Sequence, residues 1–134
     1  MLEQHITQLT EDIQLPSPGS KDPDGYFHLT FSDDLIISLK DLSPGFCITG
    51  RIAPIPTARK EETLIYVMKA NFLEQGTGEQ VIGIDSEEKF LTLSRTIAYE
   101  VNYIKFKEIV EDFVNYLSSW KDELKKMQTI KQAP

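Results

Sequence analysis

The sequence is poor in the residues that most chemistries require. It has a single cysteine, Cys47, which excludes an internal disulfide and any thiol-rich zinc site. Cys47 sits in the strand-like run Phe46 to Ile52, where a small buried apolar residue is the expected role. No apolar run approaches the roughly 18 residues of a membrane span. Basic residues are scarce as well: 14 Lys and Arg stand against 21 Asp and Glu, a net charge of -7. Such a surface is repelled by phosphate backbones, which argues against nucleic-acid binding. The only histidines are His5 and His28, distant in sequence from Cys47, so neither is expected to activate that thiol. No calcium loop and no two-histidine metal spacing occurs. The run Gly76-Thr77-Gly78-Glu79 lacks a following Lys-Ser or Lys-Thr and precedes a strand, so it reads as a connection, not a phosphate loop. Acidic pairs at Asp33-Asp34, Glu61-Glu62 and Glu87-Glu88 fall in predicted turns or at a helix start, where solvated carboxylates are common. No catalytic residue, metal ligand or cofactor is expected, and binding is a better reading than catalysis.

What is present suits one soluble domain over residues 1–134, with 40% hydrophobic and 26% charged residues. The N-terminal run Met1 to Leu15 has neither a basic start nor a continuous apolar block, so a cytoplasmic location is expected. Leu2, Ile6, Leu9 and Ile13 are spaced for one face of a first amphipathic helix. Pro16, Pro18, Gly19, Pro23 and Gly25 then predict a loop. Tyr26 to Phe31 alternates, Ser32 to Asp34 turns, and Leu35 to Lys40 returns as the second strand of a hairpin. A third strand runs from Phe46 to about Ala53 and is closed by Pro54 and Pro56.

The stretch Leu64 to Ile97 organises the rest. Its helix, Leu64 to Leu73, is apolar nearly all round, and a helix of that kind is normally buried all round. One side can face the chain's own sheet, and a partner subunit is the simplest cover for the other. The helix is expected to stop at Gly76 to Gly78. Val81 to Ile84, a turn over Asp85 to Lys89, and Phe90 to Leu93 then predict a second hairpin. A last helix spans Asn102 to about Met127, with Phe106, Val110, Phe113, Leu117, Trp120 and Leu124 as its stripe, and Gln128 to Pro134 is expected to fray. The order is α-β-β-β-α-β-β-α: an α+β fold with an antiparallel twisted sheet flanked by helices.

On the first hairpin, the face bearing Tyr26, His28, Thr30 and Ile36 is neither fully apolar nor fully polar, as a peptide-binding surface would be. An extended segment held there by strand addition would gain affinity from main-chain hydrogen bonds, and pockets for alternate side chains would select it. Two other classes stay open: an adaptor for a folded partner, and a small α+β enzyme whose site is assembled only by the fold.

Several of these residues recur together in a known family. The element order, the run Pro54-Ile55-Pro56, the segment Ala70 to Leu73 followed by Gly76 to Gly78, then Ile82 to Asp85, Leu91 to Arg95 and Trp120 resemble the class I type III secretion chaperones, the Tir chaperone or CesT-like family. The resemblance covers nearly the whole chain. It implies a cytoplasmic bacterial chaperone that dimerises through its second helix, with Ile65, Tyr66, Lys69, Phe72 and Leu73 at the contact. The partner subunit would be a second copy or a paralogous chaperone. It further implies that a secreted effector or secretion regulator is held in extended form through its N-terminal region, without ATP. Leu2, Ile6, Leu9 and Ile13 on the first helix, with Tyr26, His28, Thr30 and Ile36, are the effector-binding residues expected on this basis.

Overall fold

The structure is a computed structural model that describes residues 2–16, 21–71 and 79–132, with side chains as far as Lys126. The elements follow the expected order: α1 (Leu2–Asp12), β1 (Tyr26–Ser32), β2 (Leu35–Asp41), β3 (Phe46–Pro54), α2 (Lys60–Asn71), β4 (Val81–Ile84), β5 (Phe90–Ile97) and α3 (Tyr103–Gln132). The strands form one antiparallel sheet in the order β1-β2-β3-β5-β4. Its free edges are therefore β1 and β4.

Strand alternation gives the sheet two unlike faces. Phe27, Leu29, Ile37, Leu39, Phe46, Ile48, Ile52, Leu91, Leu93 and Ile97 are all buried on the inner face. The α3 stripe lies over them, with Phe106, Ile109, Val110, Phe113, Leu117, Trp120 and Leu124 buried. The approach is close at Gly50, where a Cβ would lie 2.7 Å from Leu117 Cδ2. A side chain there would force the Leu117 methyls to move aside. Each fully buried aliphatic side chain in this layer contributes about 1.5–3 kcal/mol.

The first helix joins the same core. Leu2, Ile6 and Leu9 are buried, His5 stacks on Phe106 with centroids 5.1 Å apart, and His5 Nε2 lies 2.9 Å from the Val101 carbonyl. The chain leaves α1 through Gln14 at positive φ, with the Leu15 amide bonded back to the Thr10 carbonyl at 3.0 Å. That is a left-handed helix stop, and it acts before the prolines on which the sequence reading relied.

Two boundaries differ from expectation. The second helix starts at Lys60, ahead of Leu64, because Glu61 and Glu62 in its first turn favour the positive helix end. Its expected stop at Gly76 to Gly78 lies outside the described residues. The last helix continues to Gln132, where fraying from Gln128 was expected; no glycine or proline interrupts the sequence before Pro134. Loss of an apolar stripe therefore did not end the helix.

The Tyr103 hydroxyl donates to Asp12 Oδ2 and ties α3 to the end of α1. Its pKa is pushed up to about 12, first by burial and then by that bond. An acid whose folded pKa is raised contributes stability that is complete below its unfolded pKa, near 10, and lost as pH rises through the folded value. Absorbance titration at 295 nm should show one tyrosine ionising late, and Asp12→Asn should lower that midpoint without restoring the ordinary one. Ile6→Ala should lower stability to urea by about 2–5 kcal/mol through the cavity it leaves. Ile36→Ala on the other face should change it by less than about 0.5 kcal/mol.

Candidate functional site

With α1 and α3 on the inner face, no described element covers the outer face of the sheet. The β1–β2 register places Tyr26 beside Lys40, His28 beside Ser38 and Thr30 beside Ile36. Tyr26, His28, Thr30 and Ile36 thus lie together, as the sequence suggested. His28 and Thr30 are exposed, Tyr26 is half-buried, and Ile36 is 45% exposed. A shallow cleft of about 590 Å³ runs over Tyr26, His28, Ile36, Ser38, Thr49, Arg51 and Thr92. Lys40 lies over the Tyr26 ring at 5.4 Å, and the Arg51 guanidinium over Phe90 at 4.3 Å. Arg51 is therefore held against the sheet by a cation–π contact.

The four first-helix residues do not join this surface. Leu2, Ile6 and Leu9 are spent in the core and Ile13 is half-buried against it, which corrects the expectation that they receive a client. An amphipathic helix beside an open sheet has one apolar face, and here α3 takes it. What α1 offers to solvent is Glu3, Gln4, Thr7, Gln8 and Glu11.

The two sheet edges are treated differently. At the β4 edge, the Asn71 side chain replaces a neighbouring strand: its Nδ2 donates to the Ile82 carbonyl at 2.7 Å, and the Ile82 amide donates to its Oδ1 at 2.8 Å. At the β1 edge, the Tyr26 amide donates to Asp22 Oδ1 and the Tyr26 carbonyl accepts from the Asp22 amide, each at 2.9 Å. Tyr26 therefore points its main-chain groups away from β2. Alternation in an antiparallel ladder gives His28 and Thr30 the same outward direction, and no partner for those groups occurs among the described residues. The open edge is the short stretch around His28 and Thr30.

The second uncovered surface is α2. Within the chain it buries only Thr63 and Val67, and leaves Ile65 52%, Tyr66 37% and Met68 68% exposed. Lys69 is exposed beside them; Phe72 and Leu73 lie outside the described residues. Tyr66 tilts against Trp120, with centroids 5.7 Å apart, and donates to Glu123 Oε1 at 2.8 Å. That bond, with burial, raises the tyrosine's pKa. A cleft of about 490 Å³ runs between α2 and α3 past Tyr66, Lys69, Tyr116, Trp120 and Glu123.

Among the described residues, no three His, Cys, Asp or Glu side chains could hold a metal ion, and no helix is long and apolar enough to cross a membrane. Cys47 is half-buried, less than expected, and its surroundings push the thiol pKa up, away from nucleophilic reactivity. His28 links Ser38 Oγ (2.9 Å) to Asp22 Oδ2 (2.8 Å), the bonding order of an activated serine. Its side chain is 49% exposed on an open strand face, where water screens the charge stabilisation that acyl transfer needs. Sequence reasoning missed Asp22 and Asn71. The turn sequence Asp22-Pro23-Asp24-Gly25 was a usable signal, whereas nothing local marks Asn71 as a cap for a strand that follows it.

Comparison with known proteins agrees with this geometry. The family model described as the Tir chaperone protein (CesT) family matches residues 4–121. No curated protein sequence matches the chain. Among solved structures, a chain of the ExsC–ExsE complex superposes with a TM-score of 0.69 at 15% identity, over 90% of this chain and 91% of that one. A chain of the HopA1–SchA chaperone–effector complex gives 0.68 at 10% identity, over 90% and 93%. A chain of the heterodimeric ExoU–SpcU complex, from the type III secretion system of Pseudomonas aeruginosa, gives 0.66 at 14% identity, over 92% and 94%. At these identities the likeness is one of fold.

Asn71→Ala should leave the Ile82 amide and carbonyl unpaired at the β4 edge. Loss of about 1–3 kcal/mol in urea unfolding is expected, with faster amide exchange at Ile82 than at its neighbours.

Proposed function

The chain belongs to the Tir chaperone protein (CesT) family of type III secretion chaperones, and on that premise we propose that it holds the N-terminal region of a secreted effector or secretion regulator in extended form. The segment stays competent for export while bound. The observation that carries this reading is the open β1 edge at His28 and Thr30 beside an uncovered sheet face with Ile36 exposed. Main-chain pairing along such an edge tolerates sequence, and alternate client side chains can reach Ile36, Tyr26 and Thr49. One solved chain that shares the fold comes from a chaperone–effector complex and another from a type III secretion complex, which supports the choice of partner. The role takes no cofactor and no catalytic step, and it is exercised in the bacterial cytoplasm.

A dimer completes the proposal. The exposed Ile65, Tyr66 and Met68 on α2 form the surface that a second copy, or a paralogous chaperone, would cover; Lys69 lies at its margin, and Phe72 and Leu73 continue the same sequence. Net charge of -7 keeps a protein with such patches soluble.

Light scattering on the purified chain should give about twice its 15.3 kDa mass, and Tyr66→Asp should return it to the monomer, since an uncompensated charge in a dry contact costs several kcal/mol. A wild-type monomer that a paralogue does not convert to a dimer would end the dimer proposal. Ile36→Asp should abolish binding of the client that co-purifies from the native host and leave the dimer intact. Amide exchange on that complex locates the site: protection is expected over His28 to Thr30 and Ile36, and protection confined to α2 would place the client elsewhere.

A further inference from the structure

The β1 edge is not wholly free, because the segment before it folds back onto its first residue. Asp22 is the hub of that fold-back. Its amide and Oδ1 take up the Tyr26 carbonyl and amide, its Oδ1 also accepts from the Asp24 amide, and its carbonyl accepts from the Gly25 amide, all at 2.9 Å. The second carboxylate oxygen grips His28 Nε2 at 2.8 Å, and the other ring nitrogen of His28 lies 2.9 Å from Ser38 Oγ. One residue thus fills the first edge position of β1 and pins the side chain at the second.

We propose that Asp22 is a latch on the client-binding edge, a self-contact that an incoming strand must displace to pair along the full length of β1. The inference rests on the reading that the client adds to this edge. A strand that pairs at His28 and Thr30 gains main-chain hydrogen bonds without opposition. At Tyr26 it replaces two bonds that Asp22 already makes, and it also breaks the Asp22 contact with His28, so that position gives no net gain. In the empty chaperone the latch shortens the exposed edge, which limits edge-to-edge association between copies. At the opposite edge Asn71 fills the same need, but from the end of a helix and with both main-chain groups of Ile82 engaged.

The test uses the full chain and a fluorescein-labelled, capped peptide of alternating threonine and valine with a lysine at each end, followed by anisotropy. Asp22→Ala removes the carboxylate's bonds to the Tyr26 amide and to His28 and keeps the main-chain bond to the Tyr26 carbonyl; it should bind this probe roughly tenfold more tightly than wild type and should accelerate amide exchange at Tyr26. Asp22→Asn keeps the acceptor for the Tyr26 amide and should stay close to wild type on both measures; circular dichroism of each variant checks that the sheet is retained. Equal or weaker binding by Asp22→Ala, or an Asp22→Asn variant that behaves like Asp22→Ala, overturns the latch. Thr30→Pro, which removes an outward-pointing amide at an edge where proline is tolerated, separates the two levels of the argument. If it abolishes probe binding while Asp22→Ala does not tighten it, the edge site stands and the latch fails. If Thr30→Pro has no effect, or no variant binds the probe, the edge site fails and the latch with it.

Discussion

The close seat of α3 on β3 at Gly50 decides what the rest of the chain can offer. With no side chain at Gly50, Leu117 and Phe113 come down to the strand backbone, and the stripe from Phe106 to Leu124 can cover the inner face from one direction. Once α3 is there, α1 has only one place for Leu2, Ile6 and Leu9, against α3 and the adjoining part of the core. The supply of helices is then exhausted. Among the described residues the outer sheet face has no cover, and α2 packs on the short β4 with Ile65, Tyr66 and Met68 left exposed. Both uncovered surfaces follow from one packing decision.

An uncovered face must be kept from indiscriminate association, and the edges show how. A four-residue strand closed by the Asn71 amide offers little to another chain. The longer β1 is blunted at Tyr26 by Asp22. The outer face itself is dressed with His28, Thr30, Ser38, Thr49 and Thr92, side chains that tolerate water yet can pack under an extended peptide. The cations near it are already engaged: Arg51 lies over Phe90, and Lys121 bonds the Ile52 carbonyl, burial having lowered its pKa. The surface is polar enough for solution and holds an apolar contact at Ile36.

Most of the fold was legible because its periodicities are clean. Phe27, Leu29, Ile37 and Leu39 alternate as a half-buried hairpin must, and the steps of three and four from Phe106 to Leu124 allow only a helix. The same clarity misled at α1. A stripe such as Leu2, Ile6, Leu9 and Ile13 tells which face is apolar, but not whether the chain's own core or a partner covers it; that depends on how many helices compete for one sheet face. Tyr26, His28, Thr30 and Ile36 were found together because each strand alternates; the two-residue turn at Asp33 and Asp34 alone would set Thr30 opposite Ile37, and a bulge between Thr30 and Ser32 shifts it to Ile36. Asp22 and Asn71 act through main-chain groups remote from or only loosely tied to their own periodicity, and side-chain to main-chain bonds leave no periodic trace.

Extended binding is also the mode that this composition of surface supports best on energetic grounds. A folded partner docking on the outer face would need a complementary apolar patch, and apart from Ile36 the cleft is lined by hydroxyls, His28 and charged side chains. Ile36 is the one large aliphatic side chain in that lining, so on the proposed reading main-chain hydrogen bonds along β1 would supply a large share of the affinity. Those bonds are available only to a chain that is not already folded, since a folded partner has spent its own on its secondary structure. An unfolded segment loses conformational entropy as it is ordered, about 1–2 kcal/mol for each residue's backbone, so the edge alone cannot hold a long one. Dimerisation through α2 would bring a second open edge and a second Ile36 to the same client, and linking the two contacts makes the second one intramolecular. On the proposed reading the α2 surface and the β1 edge would not be separate functions: the first would raise the effective concentration at which the second works.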